Sequence, residues 1–156
     1  MKLILPLTLA SLLSINGEAA EAAHPVTISL PPAIRIQFLS NMRDHLAAMS
    51  EIQDALAEGN FEQAAGIAGH RLGLRATSSA ACRMNKMENS RADNSALSKF
   101  MPKDMHRIGY EMHAAADNFA LVAQSSAGDY RKAISALSRV TKQCVACHAR
   151  FRISRK

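Results

Sequence analysis

Cys144-Val145-Ala146-Cys147-His148 lies inside a run where Tyr130, Ala133, Leu137, Val140, Cys144, Cys147 and Phe151 recur at helical spacing. The two thiols therefore face the core from this helix. Cysteines three apart on a helix lie on one side, so both thiols can reach a single planar partner. C-x-x-C-H is the covalent attachment sequence of a c-type haem: the thiols add to the two vinyl groups of the porphyrin, and the next residue, His148, can offer an imidazole nitrogen to the iron. One short segment thereby supplies both a tether and a proximal ligand. A structural zinc site would need four ligands in two pairs, yet Cys82 is the only other cysteine and has no partner motif. A redox dithiol would sit at a helix N-terminus after a strand, whereas this pair lies deep in a helical pattern.

Residues 1–23 read as a secretory signal: Lys2 is the positive start, Leu3 to Ile15 is apolar, and Gly17, Ala19, Ala20, Ala22 and Ala23 are the small residues near cleavage. The apolar run is too short to span a bilayer, and nothing later in the chain is apolar enough to do so. Export to the periplasm is therefore expected, and c-type haem is attached outside the cytoplasm. Residues 24–156 suffice for one domain with one core. Tryptophan is absent and aromatic residues make up 4% of the chain, so the core must come from Ala, Leu, Ile and Met. A large apolar macrocycle would supply the missing bulk.

Removing Lys2, Glu18 and Glu21 with the signal takes the formal net charge from +6 to about +7 before the haem propionates subtract from it. A basic surface suits acidic redox partner proteins. Nucleic acid is not expected, because no basic patch is interleaved with aromatic residues. No acid–base pair or nucleophile constellation accompanies the motif, so the expectation is a carrier and not an enzyme.

Four helical stretches follow from the apolar periodicity. Pro31-Pro32 opens helix A over 32–58, with Phe38, Met42, His45, Met49, Ile52 and Leu56 on one stripe until Gly59-Asn60. Helix B runs over 61–72, weakened by Gly66, Gly69 and Gly73. Thr77 to Ser98 reads as a long polar loop carrying Cys82. Pro102 starts helix C, with Met105, Ile108, Met112, Ala116, Phe119 and Val122 as its stripe. Helix D begins near Asp129, after the turn at Gly128, and carries the haem motif. No strand pattern of any length appears. The expected fold is all-α: an antiparallel four-helix bundle with covalently attached haem c inside it.

A haem-attachment site at the C-terminal end of an exported all-helical chain resembles the class II cytochromes c, the cytochrome c′ group and its Met-ligated low-spin relatives. Class I cytochromes c have the opposite order, with the motif near the N-terminus and the methionine ligand downstream. The likeness is carried by Cys144, Cys147, His148 and the following Arg150-Phe151-Arg152. It implies that Arg152, one turn after His148 on the same helix, lies against the proximal side of the haem and tunes the imidazole. A basic helix end that complements the macrodipole would look the same. The class commonly dimerises through helix faces, so a homodimer is also implied.

In the Met-ligated members the distal ligand comes from the first helix, several turns before its terminal Gly turn, and Met42 stands in that zone. The expected protein is a periplasmic mono-haem electron carrier with His148 proximal and Met42 distal. Met42 as core filler is the plain alternative. His45, one turn on, can also reach iron, and bis-His ligation would lower the potential relative to His–Met. Met49 is expected to pack under the ring edge or in the core and Met105 and Met112 to pack on the helix C stripe, and none of these, nor His106 or His113, is expected to be a ligand. If the distal position is open, the site is five-coordinate and binds NO or CO. Cys82, the odd cysteine, is expected to cross-link two chains or remain a free thiol, and burial as a small hydrophobe suits so polar a loop less well.

Overall fold

Prolines and glycines set where the helices start and stop. The computed structural model describes residues 24–82 and 96–155; the expected signal segment and the middle of the expected loop lie outside the described residues. Helix α1 (Pro32–Ala57) begins with Pro at its first turn, where a missing N–H costs nothing. It ends in a left-handed cap: Gly59 has φ +77°, its N–H donates to the Leu56 carbonyl at 2.9 Å, and Asn60 N–H donates to the Ala55 carbonyl at 2.8 Å. The same Asn60 caps the next helix, its side-chain oxygen accepting from Gln63 N–H at 3.0 Å. Helix α2 (Phe61–Ile67) runs directly into a π-helical segment over Ala68–Leu72, so together they fill the expected 61–72 stretch.

Helix α3 (Lys103–Ser125) follows Pro102, and helix α4 (Tyr130–Arg150) follows a turn with positive φ at Ala127 and Gly128. The Asp129 side chain caps α4 by accepting from Lys132 N–H at 3.1 Å. Among the described residues the protein is mostly helical, as the apolar periodicity requires. α1 packs on α2, α2 with its π-helical extension packs on α3, and α3 pairs with α4 along most of its length. Because three-residue turns join α1 to α2 and short turns join α3 to α4, the members of each pair run antiparallel.

Two expectations need correction. Strand β1 (Val26–Ile28) pairs in parallel with strand β2 (Phe151–Ile153), in register Val26 with Phe151, Thr27 with Arg152 and Ile28 with Ile153. Three-residue strands are too short to carry a period-2 signal, which is why the sequence shows none. Phe151 therefore belongs to β2 and is not the last member of the α4 stripe. The polar stretch after Thr77 is also not wholly irregular: Thr77–Ser79 and Ala96–Phe100 form 3₁₀ turns.

The β pair has an architectural consequence. β1 leads into α1 and β2 leaves α4, so pairing them brings the N-terminal end of α1 to the C-terminal end of α4. Along the rest of their length the backbones of α1 and α4 stay apart. The principal core lies toward the other end, where Ala64, Ala65, Ala68, Ala116, Ala133 and Ala136 let α2 and α4 each pack close on α3, around Phe119, Ile52, Leu72 and Val140. Phe61 and Tyr130, from α2 and α4, meet there edge to face with ring centroids 4.8 Å apart.

Candidate functional site

Where α1 and α4 diverge, a cavity of about 400 Å³ opens, bounded by α1, α3, α4 and the segment around Cys82. That lies within the range of small-molecule and cofactor sites, roughly 300–1,000 Å³. α4 brings Cys144, Cys147 and His148 to its wall, α1 brings Met42, His45 and Met49, and α3 brings Met105, Ile108, Met112 and His113. The expected attachment residues and the expected distal residue thus border one space. Its lining is overwhelmingly apolar.

Helical spacing explains the α4 wall. Cys144 follows the buried Val140 by one turn and borders the principal core, while Cys147 packs against a second cluster containing Phe38, Met105 and Ile28. Both thiols are half-buried, and the Cys144 Sγ donates weakly to the Val140 carbonyl at 3.5 Å. Burial pushes both thiols above their ordinary pKa, with Cys144 adding to the effect on Cys147. They therefore stand as neutral thiols at neutral pH, unlike the depressed thiolates of a redox dithiol. His148 is exposed at the rim, in the last turn of α4.

On the facing helix, Met42 is half-buried against the same cluster as Cys147, whereas Met49 borders the same core as Cys144. This order follows from α1 running opposite to α4. His45 lies between them, and its Nε2 is buried with no hydrogen-bond partner. Burial first and the neighbouring His113 second lower the His45 pKa from 6.5 to about 4, partly offset by Asp44, so the ring is neutral at pH 7.

His113 is fully buried, a placement the sequence analysis missed. It follows Met112, one position off the stripe chosen for helix C. Only its i+4 relation to Gly109 and i+8 relation to Met105 could have signalled the face it shares. Its Nδ1 lies 2.6 Å from the Leu72 carbonyl. A carbonyl can only accept, so Nδ1 carries the proton. The Leu72 carbonyl needs such a donor because it closes the π-helical segment, where the terminal carbonyls lack intrahelical partners.

Cys82 is buried, contrary to the expectation for a polar loop. Glycine at 109 makes this possible: a Cβ there would stand 2.5 Å from the Cys82 Sγ. The polar residues of the stretch do not decide the matter, because the chain folds this thiol against α3. Burial, with a smaller contribution from nearby Cys147, pushes the Cys82 thiol up to about 11.

Arg152 requires a further correction. The helix ends at Arg150, so Arg152 is not one turn beyond His148 on a common helix. It lies exposed on β2, where its Nε donates to Thr27 Oγ1 at 2.7 Å and fastens the strand pair. It is not among the residues lining the cavity.

Among the described residues no three His, Cys, Asp or Glu side chains cluster as ligands for a bare metal ion, and no helix is long and apolar enough to cross a membrane. No known protein family, curated protein or solved structure matches this chain.

Proposed function

We propose that this protein is an exported mono-haem c-type cytochrome that carries single electrons, with haem attached through Cys144 and Cys147 and His148 as one axial ligand. One observation carries the reading: the two thiols and His148 border a single apolar cavity of about 400 Å³ whose other wall holds Met42, His45 and Met49. These residues fit the group. A macrocycle supplies four nitrogen ligands of its own, so the protein needs to furnish only axial ones, and a three-residue ligand cluster is not required.

When bound, haem supplies the reversible one-electron couple. The chain's residues bind it, exclude water and set its electronics. Met105, Ile108 and Met112 would present apolar surface to the group, and Met42, His45 and Met49 of α1, which line the same cavity, are the side chains that could help hold its iron. Apolar surroundings of this kind would lower the reorganisation that accompanies electron transfer, which suits outer-sphere transfer. The basic surface favours acidic redox partners. Met42 is the thioether candidate for the second ligand, soft and favouring the reduced state.

Redox titration of the purified protein, expressed with a haem-attachment system, tests this reading. A reversible one-electron couple with a low-spin spectrum in both states is expected. Rapid CO binding to the reduced protein without loss of an axial ligand would instead define a five-coordinate gas binder.

A further inference from the structure

Among the polar side chains that border the cavity, His45 is the one whose position packing does not explain. Its Nε2 is the buried side-chain nitrogen left without a hydrogen bond among the described residues. Leaving such an atom unpaired costs roughly 1–3 kcal/mol, so a chain keeps it only where something else uses it. Met42, three residues earlier on the same face of α1, makes no such demand, since its thioether is satisfied by apolar neighbours.

The surroundings of His45 also hold its ring. It stands edge-on to His113, with centroids 5.4 Å apart and planes at 82°. His113 is itself locked, because its Nδ1–H is committed to the Leu72 carbonyl at 2.6 Å. A ring ordered by its neighbours, whose Nε2 has no other partner, can offer that nitrogen to a metal at little further cost.

We propose that His45, not Met42, is the second axial ligand of the haem iron in this cavity. The assignment rests on the haem reading above. It makes the site bis-imidazole, with Met42 packing beside the ring, and it places the potential below that of a His–Met site.

Optical and EPR spectra of the full-length holoprotein decide the matter. The wild type is expected to be low-spin in the ferric state without a thioether-to-iron band, and Met42→Ala is expected to remain low-spin. His45→Ala is expected to lose the low-spin signal, which added imidazole restores, or to gain a thioether band that the wild type lacks. His45→Met keeps a ligand of similar reach and is expected to show that band and a raised potential. If His45→Ala does not fold, the wild-type band decides alone. A thioether band in the wild type, or an unchanged spectrum in His45→Ala, overturns the assignment while leaving the haem reading intact, and a high-spin wild-type iron overturns the assignment and the electron-carrier reading together, leaving the five-coordinate gas binder. A wild-type protein with no covalent haem overturns both.

Discussion

The two ends of the bundle are built from different side chains, and the difference separates holding a fold from holding a ligand. At the turn end, alanines at 64, 65, 116, 133 and 136 let helix backbones approach, and Phe119 is wholly buried among them. At the β-strand end, methionines, histidines and cysteines face a space that the protein leaves unfilled. Small residues bring helices together, whereas long flexible ones around a void conform to whatever occupies it. The first end would fold much the same in any helical bundle. The second leaves a cavity of the size that small-molecule and cofactor sites have.

Truncations at the two ends should therefore differ, and this is the largest contrast expected. Phe119→Ala empties a closed core and should cost about 3–5 kcal/mol. Met49→Ala enlarges a space that is already open and should cost no more than about 2 kcal/mol. Chemical denaturation of the apoprotein measures both, and equal losses would abolish the distinction between the ends.

A second difference is pH-dependent. His45 titrates at about 4 when folded, against 6.5 for the ordinary side chain, so the unfolded chain binds its proton more readily. The stability it contributes is fully present above about pH 6.5 and is lost as pH falls through the window down to about 4. The groups acting on it are His113 and Asp44. Apoprotein carrying His45→Leu should lose less stability than the wild type across that window, measured by denaturant midpoints at each pH. Parallel curves for the two proteins would contradict the burial of the ring.

The smallest effect concerns the cavity's third side. Gly109→Ala would drive a methyl into the Cys82 sulfur and should destabilise by about 1–3 kcal/mol. In a Cys82→Ala background the same change should cost much less, because the obstructing atom is gone. Additive losses in the double variant would mean that Cys82 does not pack on α3.

What the sequence reveals differs between the ends in the same way. The helices, their proline starts and the glycine turns at 59 and 128 were legible, because each depends on residues within one or two turns. The gathering of Cys144, Cys147, Met42 and Met49 was also foreseeable, since stripes on two helices must meet in one core. His113 was not, because its burial depends on a carbonyl contributed by Leu72, 41 residues away in sequence. Arg152 was misplaced for the opposite reason: pairing with Thr27, at the other end of the described chain, ends the helix before it. Cys82 was misjudged from the polarity of its neighbours, although the absence of a side chain at Gly109 decides its burial.

The most direct test is the intact mass of the protein under denaturing conditions, after export in cells that carry a haem-attachment system. The wild type should be heavier than its polypeptide by one haem that denaturation does not release, and a variant with both Cys144→Ser and Cys147→Ser should have the mass of the polypeptide alone. A wild-type protein found at the bare polypeptide mass, under conditions where a control cytochrome c is matured, would contradict the account.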